Sequence, residues 1–121
     1  MREAFRQIEL EQGEASEKYF HDVLQRAKDS NKLPPWLLGW SHNEKWSVGD
    51  RAGVDFVVKT DRGNICINIK SSHFFAKQFE NRHKGEDIVV MVVNVFERPE
   101  TFLGKLISTI GAIHKKMSAW G

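Results

Sequence analysis

Asp55, Asn68 and Lys70 are the residues of this chain whose types and spacing best suit chemistry. A carboxylate binds a hard divalent cation, an amide adds a neutral oxygen, and an amine steadies a water or a phosphate. They fall in two runs. The first is Gly53-Val54-Asp55-Phe56-Val57-Val58-Lys59-Thr60, and the second is Ile65-Cys66-Ile67-Asn68-Ile69-Lys70-Ser71-Ser72. Between them stands Asp61-Arg62-Gly63-Asn64. β-Branched, apolar runs around an Asp/Gly/Asn turn predict a hairpin.

Side chains alternate faces along a strand. Asp55 and Val57 therefore share one face, and Cys66, Asn68 and Lys70 share one on the neighbouring strand. Ile65, Ile67 and Ile69, with Val54, Phe56 and Val58, make the opposite side almost pure hydrocarbon, which suits a core. Ionisable groups in such strands cost energy unless they are paired or used. Asp55 and Lys70 are thus either a structural ion pair or part of a metal and phosphate site.

The surrounding elements must position these groups. From Glu3 to about Lys28, Phe5, Ile8, Ala15, Tyr19, Phe20, Val23, Leu24 and Ala27 recur at helical steps. Gly13 interrupts the pattern. Glu9 and Glu11 read as solvated, whereas Glu14 and Glu17 lie nearer the apolar stripe. Asp29 to Lys32, then Pro34-Pro35, end the helix. Trp36 to Asp50 is irregular, with a short strand near Leu37–Ser41 and tryptophans that suit the edge of a core. After the hairpin, Ser71 or Ser72 makes an N-cap for a short helix over Phe74–Arg82, with Phe75 and Phe79 inward. Asp87 to Phe96 is apolar on both faces, as expected at the centre of a sheet or under cover on both sides. Pro99 opens a last helix with Leu103, Leu106, Ile107, Ile110, Ile113, His114 and Met117 in one stripe. A mixed sheet with helices on its faces follows from this order, α-β-β-β-α-β-α.

The chain has 121 residues, 40% apolar and 28% charged, which suits one domain over 1–121 with one core. No apolar run nears the ~20 residues that span a bilayer, so no membrane partner is expected. The single cysteine makes no internal disulfide and no zinc cluster. With no secretory signal at the N-terminus, a reduced, cytoplasmic setting is expected. A net charge of +2 permits nucleic acid without demanding it.

With Gly53-Val54-Asp55 on one strand and Asn68-Ile69-Lys70 on the next, the chain resembles the PD-(D/E)xK nucleases, the superfamily of restriction endonucleases and archaeal Holliday-junction resolvases. The resemblance implies an α/β restriction-endonuclease-like core and a Mg²⁺-dependent (or Mn²⁺-dependent) DNA endonuclease. Asp55, Asn68, Lys70 and the helix acid Glu17 then form the catalytic set, with Asp55, Glu17 and Asn68 around the metal. Lys70 stands beside the attacking water. Lys77, Arg82 and Lys84 follow Lys70 closely and are expected to form a basic rim for DNA phosphates. Two-fold pairing into a homodimer is expected by analogy.

This chain departs from the motif at Asn68, where the family has a second acid. The site loses one negative charge, which Glu17, Glu14 or Asp50 would restore. The alternative is a catalytically inactive nuclease-like domain that binds DNA or a protein partner. A third reading is an unrelated α/β domain with a structural Asp55–Lys70 pair.

Overall fold

Alternation over residues 56–70 builds the hairpin at the heart of the fold. In the computed structural model, which describes residues 2–43, 53–82 and 88–117 (side chains from Ala15 onward), β2 spans Phe56–Thr60 and β3 spans Gly63–Lys70. They pair antiparallel from Phe56 opposite Ile67 to Thr60 opposite Gly63, leaving only Asp61 and Arg62 in the turn. The turn is tighter than the four residues expected. Gly63 closes it at φ +133°, where an L side chain is strained, and Thr60 Oγ1 donates to its carbonyl at 2.7 Å.

β1, Leu37–His42, pairs antiparallel with β2 on the outer side. β4, Ile88–Val92, pairs parallel with β3, giving the order β1-β2-β3-β4. Of the apolar run expected at 87–96, Ile88–Val92 forms the strand, and it lies at an edge and not at the centre; β2 and β3 hold the middle, and Asp87 lies outside the described residues. The run's apolar character has a different cause. Met91 and Val93 are buried in the main core, while Val90 and Val92 line the cleft beneath the crossover helix α2, His73–Arg82. A parallel connection needs such a crossover.

Helix α1, Arg2–Asp29, runs through Gly13 without a break. Its end is a Schellman cap. Asn31 is left-handed (φ 55°), its N–H donates to the Lys28 carbonyl, and the Lys32 N–H donates to the Ala27 carbonyl at 2.8 Å. α3, Pro99–Lys116, closes the chain order α-β-β-β-α-β-α.

Phe20, Val23 and Leu24 of α1 and Phe102, Leu106 and Ile110 of α3 pack on Phe56, Val58, Ile65, Ile67 and Ile69. The first and last helices thus share one face of the sheet. Each such side chain contributes roughly 1.5–3 kcal/mol of burial. Trp36 and Trp40 cover the margin of this core. Trp36 stacks on His114, whose Nε2 lies 2.7 Å from Asp61 Oδ1, tying α3 to the hairpin turn. Among the described residues, no helix is long and apolar enough to cross a membrane.

Candidate functional site

β3 outlasts β2. Ile67 is the last residue of β3 with a partner in the β2 ladder, yet β3 continues to Lys70. Backbone groups of successive residues point to opposite sides of a strand. The Ile67 carbonyl accepts from Asp55 N on the β2 side, and the Lys70 carbonyl accepts from Val93 N on the β4 side, each at 2.8 Å. The Ile69 N–H therefore faces the place where β2 has ended. The side chain of Asp55 fills that role. Its Oδ2 accepts the Ile69 N–H at 2.6 Å and an Nδ2 hydrogen of Asn68 at 3.2 Å.

The Asp55 backbone is clamped from both sides, by Ile67 and by Asn43 N, which donates to the Asp55 carbonyl at 2.9 Å. Asn43 Nδ2 holds the Val54 carbonyl at 2.7 Å. Gly53, at φ +85°, turns its own carbonyl to Asn68 Nδ2 at 2.7 Å. Asp55 is half-buried and Asn68 is buried. Both acceptors near the Asn68 amide take its NH₂ end, so its Oδ1 points away from Asp55. That oxygen is buried and, among the described residues, receives no hydrogen bond. A lost partner for a buried acceptor costs about 1–3 kcal/mol, so this atom calls for an explanation.

Lys70 is half-buried on the same face as Asn68, with its Nζ 5.2 Å from the centroid of the Phe79 ring of α2. That is a cation–π distance. Glu17 reaches this end of the sheet from the α1 side. Its Oε2 lies 3.5 Å from His42 Nε2. His42 stacks on Phe56, the chain neighbour of Asp55. Lys77 and Arg82 are exposed on α2. Lys84 and Asp50 lie outside the described residues, as does the side chain of Glu14.

Magnesium takes hard oxygens and settles for one or two carboxylates with waters and substrate phosphate. The carboxylate of Asp55 fits that chemistry, one negative charge short of an acid pair; the Asn68 amide presents its NH₂ end to Asp55, so its Oδ1 would join the same cation only with the amide turned over. Among the described residues, no three His, Cys, Asp or Glu side chains gather into a metal site. His42, Asn43 and the Gly53 carbonyl were not marked by the sequence, because their roles arise from strands meeting at one end. The only signal was a polar His42-Asn43-Glu44 run. Comparison with family models, curated proteins and solved structures returns no match.

Proposed function

We propose that the chain is a Mg²⁺-dependent (or Mn²⁺-dependent) DNA endonuclease of the PD-(D/E)xK type. One observation carries this reading: Asp55 and Asn68 are bonded where β2 and β3 part, with Lys70 two residues further along β3, and a buried amide oxygen there has no donor among the described residues. The order α-β-β-β-α-β-α around a four-stranded mixed sheet is the one that the resemblance implies.

When bound, the cation supplies a water of lowered pKa and neutralises charge on the scissile phosphate. Asp55 holds the cation, oriented by the Ile69 N–H. Asn68 lends a neutral oxygen, and Glu17 provides the compensating charge from the helix. Lys70 orients the attacking water or offsets charge on the phosphate in the transition state. Lys77, Arg82 and Lys84 take backbone phosphates. A cytoplasmic setting and a homodimer that cuts both strands belong to the same proposal.

A second reading is favoured by the direction of the Asn68 amide. Its NH₂ end faces Asp55, as it would in a domain that binds DNA or a protein partner without cutting. The test is a cleavage assay on duplex, branched and single-stranded DNA with Mg²⁺ or Mn²⁺, beside calorimetric metal titration. Cleavage lost in Asp55→Ala supports the nuclease. DNA binding without metal uptake or cleavage by the wild type leaves the second reading.

A further inference from the structure

Large apolar side chains in solvent are few among the described residues, and they are not scattered. Phe96 is 92% exposed, Phe74 66% and Val95 38%. All three follow the ends of the parallel pair β3 and β4, Phe74 four residues after Lys70 and Phe96 four after Val92. The fourth, Leu38, stands apart on β1.

Between the two strand ends and α1 lies a cleft of about 350 Å³, lined by Ser71, Ser72 and Phe75 on one side, by residues 93–96 on another and by Ala15 and Ser16 of α1. Crevices beyond the carboxyl ends of parallel strands are where open α/β sheets take ligands. Its walls are built. Ser72 Oγ accepts the Phe75 N–H at 3.3 Å and caps α2. Asn94 Oδ1 accepts the Phe96 N–H at 3.0 Å, which fixes the turn that presents the Phe96 ring.

The charge around the rings selects the occupant. On α2, Phe74, Lys77, Gln78, Asn81 and Arg82 recur at helical steps and are all exposed. An aromatic ring therefore heads a stripe that carries two cations. Lys70, the last residue of β3, directly precedes Ser71 of the cleft in the chain. An apolar surface for a neutral protein partner does not need that stripe. A polyanion with flat, apolar faces does. Unpaired nucleotides fit, because every base has a face to stack and each carries a phosphate. Bases within a duplex keep those faces hidden.

We propose that Phe74 and Phe96 are a stacking platform for unpaired nucleotides, so that the preferred DNA substrate carries a single-stranded or unpaired segment beside the Asp55–Lys70 site. This rests on the nuclease reading and names its substrate class. The phosphates run along Lys77 and Arg82, and a base leaves the stack to lie against the Phe96 ring.

The test is fluorescence anisotropy with labelled oligothymidylate and with a duplex of the same length, in Ca²⁺ to hold DNA without cleavage. Phe74→Ala and Phe96→Ala should each weaken oligothymidylate binding about tenfold and leave duplex binding within about twofold, the change expected when no stacked base is lost. Phe96→Trp should keep the affinity, and Leu38→Ala should change neither. Unchanged oligothymidylate binding in the alanine variants, or an equal loss for duplex, overturns the platform. So does a change in self-association alone, which marks a protein contact. If the wild type still cleaves duplex under Mg²⁺ in those cases, only the platform falls. A wild type that neither binds nor cuts any DNA overturns both.

Discussion

The carboxylate of Asp55 bonds the backbone N–H of Ile69 at 2.6 Å, in the position where a longer β2 would have offered a carbonyl. One side chain thus both finishes a sheet and faces a candidate cation site. The two roles separate on mutation. Asp55→Ala leaves the Ile69 N–H without its acceptor and should cost about 1–3 kcal/mol in denaturant unfolding. Asp55→Asn keeps an oxygen for that N–H and should retain most of the stability. Both should abolish metal-dependent cleavage. An active Asp55→Asn enzyme would show that the carboxylate serves the fold alone.

Asn68→Asp restores the second acid. It also deletes the donor to the Gly53 carbonyl and sets a like charge beside Asp55. Without metal the variant should be less stable than wild type by about 1–3 kcal/mol. With Mg²⁺ or Mn²⁺ it should gain affinity in calorimetry and cut faster, since a second carboxylate suits the ion. Equal metal affinity in both proteins would refute a metal role for position 68.

Lys70→Ala should lower the cleavage rate and spare metal uptake, because in the proposed site the amine serves water or phosphate and not the cation. Lys77→Ala and Arg82→Ala should weaken DNA of any sequence, and each should reduce the salt slope of binding by about one. Affinity at low salt that ignores both changes would remove α2 from the interface.

The Asp61–His114 contact at 2.7 Å, roofed by Trp36, holds α3 to the β2–β3 turn. A double-mutant cycle with Asp61→Asn and His114→Phe, which keeps a ring against Trp36, should give a coupling of about 1 kcal/mol. A coupling of zero would mean that the Asp61 contact adds nothing to the stack and the core packing of α3.

Tyr19 carries a pH signal. Its hydroxyl donates to the Glu97 carbonyl at 2.6 Å. Burial, then the charges of Glu97 and Glu100, hold the phenol above its ordinary 10.0. The unfolded chain therefore loses this proton first as pH rises. The stabilising contribution is complete below pH 10.0 and falls as pH climbs through the folded value above it. Tyr19→Phe should cost about 0.5–1.5 kcal/mol at neutral pH and flatten the alkaline decline. An unchanged alkaline slope in the variant would assign the decline to other groups.

The amino-acid sequence by itself determined the elements and their faces. Ile65, Ile67 and Ile69 had to face the core because side chains alternate, and Phe20, Val23 and Leu24 had to share a helix stripe. Asp55, Asn68 and Lys70 were legible for the same reason: each is polar in an apolar strand. Neighbourhood between strand ends was decided only by tertiary structure. That β4 lies at an edge follows from which strands pair, and an apolar run reads alike under helices at an edge or in the middle of a sheet. That β3 outruns β2, so that a side chain replaces a strand at Ile69, depends on where two ladders stop. That Phe74 and Phe96 both follow the carboxyl ends of neighbouring strands is likewise set by the crossover that lays β4 parallel to β3. Local pattern encodes which way a side chain points, whereas long-range pairing decides what it meets.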